Sequence, residues 1–265
     1  MKKITQFLIL SATLIFGLNS CLKPTAEPAT DQNDSIEASS TAQTGNSGSL
    51  SRYATIGNYM YFVDLSKINV YDVSNPSSPQ LLSVTEVNTN TLETIQYNDN
   101  YLYIGSNVGM YIYDVTDKSN PEYRSMAEHQ VACDPVVTDG DYAYVTIRSG
   151  NQCGFWGAGV NILEVYDVSS ASDPILLTTL NMTHPEGMAL LGDLLIVCDR
   201  SLKLYDVSNP SNPILVNIYS SNAHDLVVDG GNVIAVTSNG IEQYSVDVEN
   251  KELNNRQDVV IYGQN

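Results

Sequence analysis

The chain has 265 residues, of which 30 are Asp or Glu and 12 are Lys or Arg, so its formal net charge at pH 7 is −18. A chain this acidic, with no run of basic residues, is not expected to bind nucleic acid. It also shows no glycine order typical of phosphate loops and no local Ser/His/Asp or Cys/His motif typical of a hydrolase.

The first twenty residues predict an export signal. Met1-Lys2-Lys3 is basic, and an apolar run from Ile4 to Leu18 follows, which is too short to span a bilayer as a mature helix. The run ends in Leu18-Asn19-Ser20-Cys21, which resembles the bacterial lipobox. This resemblance implies a signal peptide over residues 1–20 and a lipoprotein acylated, for instance with palmitate, at Cys21. A plain secretory signal followed by a chance cysteine is the alternative.

Residues 21–50 predict a disordered tether after the lipidated cysteine. The stretch is rich in Ser, Thr, Ala, Asn, Asp, Glu and Gln and has almost no large apolar residue. It cannot bury enough surface to offset the entropy lost on ordering. Several acyl chains on one residue would anchor such a tether stably. The expected partner is therefore a membrane, and the expected location is the cell envelope, at the outer membrane or cell surface.

A repeated dodecamer organises the rest of the chain. YDVSNPSNPILV begins at Tyr205, near-copies begin at Tyr71, Tyr113 and Tyr166, and a degenerate copy begins at Tyr244. A fixed period of about forty residues in a strand-rich chain indicates a repeat architecture in which each repeat is one supersecondary unit. Residues 51–265 are therefore expected to form one repeat domain.

Each repeat predicts four short antiparallel strands joined by Gly/Asn/Asp turns, which tolerate positive φ. The second and third strands, such as those starting at Tyr101 and Leu194, are almost continuously apolar, which predicts that both of their faces are covered. The fold class predicted is all-β, a β-propeller of five four-stranded antiparallel blades. An open β-solenoid is the alternative, but its strands would be parallel.

The repeat also resembles a known family. The Asp-Val-Ser…Pro-x-x-Pro signature is similar to that of the LVIVD-repeat proteins of bacterial and archaeal cell surfaces, and the resemblance extends from Arg52 to about Tyr244. It implies an envelope propeller and supplies no catalytic residues. The signature aspartates end strands before turns, so they are expected to cap those turns on the bottom face: Asp72, Asp114, Asp167 and Asp206.

Carboxylates recur at the start of the innermost strands, where the central channel of a propeller opens on its top face. They are Glu93, Asp134, Glu186 and Asp225. Like charges at one mouth repel each other unless they accept backbone N–H bonds, share protons or hold a divalent cation. A ring that fastens neighbouring blades and a ring that binds a cation both remain open. No other cofactor is expected.

The three histidines all lie in connections between blades. They are His129, His184 and His224, the last two beside Glu186 and Asp225. Imidazole and carboxylate together suit zinc or another transition metal. The chain lacks tight His or Cys pair spacing, so the sequence does not decide whether a metal binds.

The third repeat carries a glycine-rich insert over residues 148–161, which contains Cys153, Phe155 and Trp156. Aromatic side chains on such a loop predict either a contact for a sugar or protein ligand or a lid over the channel. Cys133 and Cys153 are expected at the same rim of one blade, which predicts a disulfide, with two free thiols as the alternative. Cys198 is expected to be an inert buried thiol.

These features favour an envelope-anchored, non-catalytic propeller that binds a glycan or protein ligand on its top face. The alternative is a glycosidase-like hydrolase that uses two carboxylates at the channel mouth, about 5 Å or about 6.5–9.5 Å apart. The carboxylates here recur with the repeat, a pattern more typical of binding or structure than of catalysis.

Overall fold

The computed structural model describes residues 48–89, 91–129, 135–148 and 159–260. Within these ranges the regular elements are twenty β-strands. The described part of the chain contains no helix long and apolar enough to cross a membrane.

The strands form five consecutive groups of four, which are the five blades. Blade 1 has β1 (Tyr53–Ile56), β2 (Tyr59–Asp64), β3 (Lys67–Asp72) and β4 (Gln80–Glu86). Blade 2 has β5 (Leu92–Asn98), β6 (Tyr101–Ser106), β7 (Gly109–Asp114) and β8 (Glu122–Glu128). Blade 3 has β9 (Val136–Thr138), β10 (Tyr142–Arg148), β11 (Asn161–Asp167) and β12 (Ile175–Asn181). Blade 4 has β13 (Pro185–Leu191), β14 (Leu194–Asp199), β15 (Leu202–Asp206) and β16 (Ile214–Tyr219). Blade 5 has β17 (Ala223–Asp229), β18 (Asn232–Thr237), β19 (Gly240–Asp247) and β20 (Glu252–Val260).

Each blade is one antiparallel sheet in sequence order, from the innermost to the outermost strand. The prediction of five four-stranded antiparallel blades is confirmed. The predicted tight turns are also present: Gly57 and Gly192 have φ values of 56° and 54°, a left-handed conformation that glycine adopts without steric cost.

The signature aspartates cap the turns that follow the third strands, as predicted. The Oδ1 atom of Asp72 accepts the Ser74 N–H at 2.8 Å, and the same bond recurs from Thr116 to Asp114, Ser169 to Asp167 and Ser208 to Asp206. The pKa of all four carboxyl groups is lowered, mainly by these bonds in Asp72 and Asp114. In Asp206 the bond from Lys251 is the larger cause, and in Asp167 it is the bond from the Ser169 hydroxyl. The N–H bonds fix the turn, so this repeated acid is structural.

The hydrophobic core consists of four clusters, one between each pair of successive blades. The first packs Tyr61 and Val63 of blade 1 against Leu102 and Ile104 of blade 2, and the other three repeat this arrangement for blades 2–3, 3–4 and 4–5. In the internal blades both faces of the second strand are buried. In β14, for example, all six residues are buried.

The end blades differ from the predicted pattern. Burial alternates along β2 and β18, so each of these strands covers only one face. The expectation that both faces of these strands are covered is therefore wrong for blades 1 and 5. No hydrophobic cluster among the described residues joins blade 5 to blade 1, which leaves one face of each without the packing of the other blades.

Candidate functional site

The top face is the one on which the innermost strands begin, and three of the predicted carboxylates lie near that end of their strands: Glu93, Glu186 and Asp225. Three innermost strands are bulged where they start: β5 at Glu93, β13 at Glu186 and Gly187, and β17 at His224. A bulge turns the local side chains away from the regular alternation. Glu93 and Glu186 lie in these bulges, as does His224, whereas Asp225 follows its bulge and pairs with Val236. The predicted equivalence therefore holds for Glu93 and Glu186 and is off by one residue for Asp225.

Asp225 holds the segment that leads into blade 1. Its Oδ1 atom accepts the Ser49 hydroxyl at 3.2 Å and the Leu226 N–H at 2.9 Å. Burial raises the pKa of Asp225, while the bonds from Leu226, Ser49 and the Leu50 N–H oppose this shift. The Ser49 hydroxyl also accepts the Met188 N–H at 2.7 Å. Ser49 is 1% exposed, so the entering chain is fixed by contacts to blades 4 and 5.

Two glycines permit this close approach. A Cβ atom on Gly187 would lie 2.7 Å from Cα of Asp225 and 2.8 Å from the His224 carbonyl oxygen, and one on Gly48 would overlap the Asp225 carboxylate. Asp225 therefore fastens backbone segments together. This geometry supports the structural alternative for this member of the carboxylate ring.

Glu186 belongs to a different arrangement, at the boundary between blades 3 and 4. Nη1 of Arg148 contacts Oε1 of Glu186 and lies 3.1 Å from Nδ1 of His184. Nδ1 of His184 is 3.6 Å from Oε1 of Glu186. The side chains of Arg148, His184 and Glu186 are 17%, 43% and 24% exposed, so a solute can reach a cation, an imidazole and a carboxylate together. We call these three residues the Arg148 triad.

A buried ion pair, Asp199 with Lys203, holds the backbone of the triad residue His184. Burial opposes ionisation of Asp199, but Lys203 and the N–H groups of His184 and Thr183 outweigh it and lower the pKa of the carboxyl group. Lys203 Nζ lies 2.5 Å from Asp199 Oδ2, and the Asp199 side chain is 0% exposed. The backbone on which His184 stands is therefore fixed.

Sequence reasoning did not identify Arg148, Asp199, Lys203 or Ser49 as parts of this face. The signals available were that Arg148 ends a strand at the start of the insert, and that Asp199 and Lys203 carry opposite charges four residues apart on one hairpin. Asp199 has a counterpart in Asp64, the last residue of β2, but the four residues do not recur together, so recurring positions do not reveal them as a group.

The other predicted residues are only partly placed. Glu93 and His224 are half-buried on β5 and β17, and His129 follows β8. Across the described ranges no group of three or more His, Cys, Asp or Glu side chains could hold a metal ion. The remaining predicted residues lie outside the described ranges: Cys21, Cys133, Asp134, Cys153, Phe155 and Trp156. Cys198 is a buried free thiol whose pKa burial raises, as expected of an inert cysteine.

A polar cavity of about 220 Å³ lies elsewhere on the top face, in blade 5. Its wall includes Glu242, whose carboxylate accepts bonds from Ser221, Tyr244 and Arg256 at 2.6, 2.9 and 2.8 Å. Arg256 also donates to Asp258 and to the Ser220 carbonyl. Since these groups already satisfy one another, we assign them a structural role.

Comparison with known sequences identifies LVIVD repeats in three segments of the chain, residues 47–89, 93–126 and 186–221. These segments lie in blades 1, 2 and 4. No curated protein matches the chain.

Solved structures of similar fold include a functionally unknown protein from Desulfotomaculum acetoxidans (TM-score 0.61, 12% identity, 80% of this chain and 68% of that one). Another is a protein from Lactobacillus plantarum (TM-score 0.61, 15% identity, 77% of this chain and 69% of that one). A third is the periplasmic gluconolactonase PpgL of Pseudomonas aeruginosa (TM-score 0.59, 13% identity, 78% of this chain and 68% of that one). At these identities the similarity concerns the fold alone. With the repeats, it shows that the chain is a repeat β-propeller protein.

Proposed function

We propose that this chain is a non-catalytic binding propeller of the cell envelope, anchored through a lipid on Cys21, which binds a glycan on its top face at the Arg148 triad. The observation that carries the proposal is that the carboxylates of Glu186 and Asp225 both already have protein partners. Glu186 is paired with Arg148, and Asp225 is buried under the entering chain. Neither is a free carboxylate of the kind that a glycosidase pair requires.

The triad suits a polyhydroxylated ligand. A guanidinium supplies several donors in a fixed plane, a carboxylate supplies acceptors, and a half-exposed imidazole can do either. Residues 149–158, which follow Arg148 directly, contain Phe155 and Trp156. We propose that these aromatic rings pack on the ligand and that a Cys133–Cys153 disulfide holds them over the triad.

The test uses the single tryptophan. Trp156 is the only Trp in the chain, so if it packs on the ligand as proposed, its fluorescence changes when a ligand binds at the triad. Envelope polysaccharides and their oligosaccharides are titrated against the wild type, Arg148→Met and a matched control, Asp229→Asn, on the exposed turn at the bottom of blade 5. Arg148→Met should weaken binding about tenfold or more, since it removes a charged hydrogen-bonding partner. The control should bind like the wild type.

Absence of any fluorescence response across the panel, or an equal response from Arg148→Met, would overturn the proposed site. A response seen only with a protein ligand would change the class of partner but not the face. The alternative function, a glycosidase-like hydrolase, predicts release of product from the same saccharides and its loss in Glu186→Gln. Product release of that kind would replace binding as the function.

The anchor is tested separately. A fatty-acid probe fed to the cells that produce the protein should label the wild type and fail to label Cys21→Ser. Equal labelling of both would contradict lipid attachment at this residue.

A further inference from the structure

At the seam between blade 5 and blade 1, two sheet faces that are buried in the other blades belong to no hydrophobic cluster of the described residues that joins the two blades. In blade 1, hydrogen-bonded register aligns one row across all four strands, Tyr53, Phe62, Asn69 and Val84. Tyr53, Phe62 and Val84 are 50%, 36% and 43% exposed. Three of the four side chains in this row are apolar, and none of the three belongs to a hydrophobic cluster of the described residues.

Blade 2 shows what such a face packs against. The residues that correspond to Tyr53 and Phe62 in the repeat are Ile95 and Ile104, and both are fully buried against blade 1. Each internal blade thus turns this face toward the preceding blade. Blade 1 has no described preceding blade that covers it, so its face stays open.

Blade 5 carries the complementary face. Val227 and Ile234 are paired across β17 and β18, Val236 and Ile241 across β18 and β19, and all four are only half-buried. The corresponding face of blade 4, which includes Ile196, Leu202 and Leu204, is completely buried against blade 5. The last blade therefore covers only in part the side that each preceding blade buries against the next one.

Both open faces are uncharged at their centres, in a chain whose net charge is −18. The charged residues of blade 1 on this side, Asp64 and the Lys67–Glu86 pair, lie in the row nearest the top rim. An apolar centre, depleted of charge and bordered by a polar rim, is the composition of a protein–protein interface. Exposed apolar patches of this kind mark interaction sites.

We propose that the seam binds a second copy of this chain. The face of blade 1 in one copy packs against the face of blade 5 in the other copy, and twofold symmetry repeats the contact in the opposite sense. The partner is another copy because, within the chain, this face of a blade packs against the kind of face that blade 5 leaves without a following blade. Each copy has one blade 1 face and one blade 5 face to contribute. The two contacts continue the blade-to-blade packing already present within the chain, and closure by a twofold axis limits the assembly to a dimer.

The experiment uses the full exported chain in mild detergent with a benzophenone photocrosslinker in place of Phe62. Preparations of normal and ¹⁵N-labelled protein are mixed, irradiated and digested. The proposal predicts crosslinked peptides that join one light and one heavy chain, from position 62 to β17, β18 or β19. The control carries the crosslinker at Tyr123, which is 55% exposed on the outer strand of blade 2 and should give no such pairs.

Crosslinks confined to a single chain would overturn the proposal, whether they reach its own blade 5 or residues 1–47 or 261–265, because the chain would then close its own seam. Failure to crosslink would overturn it as well. In sedimentation equilibrium, Ile234→Asp and Val84→Asp, which place charges on the two opposite faces, should each raise the dimer dissociation constant about tenfold or more. Tyr123→Asp should not. Thermal melts of all variants identify any that fail to fold, and with two variants on different blades one unfolded protein does not remove the test.

Discussion

Ser49→Ala tests whether the entering segment closes the centre of the propeller. The substitution removes one buried oxygen atom and does not require any change in the backbone conformation. That oxygen donates to Asp225 and accepts the Met188 N–H, so it connects the start of blade 1 to both blades 4 and 5.

The magnitude follows from what is left behind. The Met188 N–H would lose its acceptor in a buried position, which costs about 1–3 kcal/mol. The Asp225 carboxylate would lose one of its donors, but it keeps the N–H bonds of Leu226 and Leu50. A hydrogen bond to a charged group contributes about 1.5–3 kcal/mol, and its 3.2 Å length places this one at the low end. We expect a total loss of about 3 kcal/mol in the free energy of unfolding.

The assay is thermal and urea unfolding followed by circular dichroism. For a domain of this size about 3 kcal/mol lowers the melting temperature by roughly 6–12 °C. Ser51→Ala is the matched control, because its exposed hydroxyl bonds only to its near neighbour Tyr53, and its effect should stay within about 0.5 kcal/mol. Equal effects of the two substitutions would refute the assigned role of Ser49.

Three further predictions concern the same face. Lys203→Met should lower the free energy of unfolding by about 3 kcal/mol in urea, because it leaves buried Asp199 without its cation. Lys67→Met, which breaks an exposed pair, should cost under about 1 kcal/mol. Similar costs of the two substitutions would contradict the importance of the buried pair. Gly187→Ala should lower stability by about 2 kcal/mol or more, since its methyl group would meet backbone atoms of the neighbouring strand, and an unchanged melting temperature would show that the strands can separate there. Burial raises the pKa of Asp225, so its contribution to stability is complete below the unfolded pKa of about 3.9 and is lost as pH rises through the folded value. Asp225→Asn should therefore gain stability relative to the wild type between pH 4 and neutrality, and a difference independent of pH would refute this.

The sequence alone determined the blade count and the strand order. Four strands per repeat follow from short apolar runs separated by Gly/Asn/Asp turns, and the repeated Tyr-Asp-Val unit marks one blade each time. The role of Asp72 and its equivalents was also predictable, because an aspartate, its turn and the N–H it accepts lie within three residues. All of these depend on contacts that are local in the chain.

The carboxylates near the start of the innermost strands, Glu93, Glu186 and Asp225, were visible in the sequence as well, but their different environments were not. Glu186 meets Arg148 from another blade, and Asp225 meets Ser49, which is 176 positions away. Equivalent positions in a repeat share a backbone, while their neighbours come from whichever segment passes nearby. Sequence spacing does not report those neighbours.

The open seam shows the same limit on a larger scale. Tyr53 and Phe62 are large and mainly apolar side chains, like their buried counterparts Ile95 and Ile104, so the repeat pattern predicts burial for all four. Only the tertiary structure shows that the first pair has no described blade packed over it. Periodicity in the sequence determines which face of a strand is apolar, whereas the partner of that face is decided by how the first and last blades are placed in space.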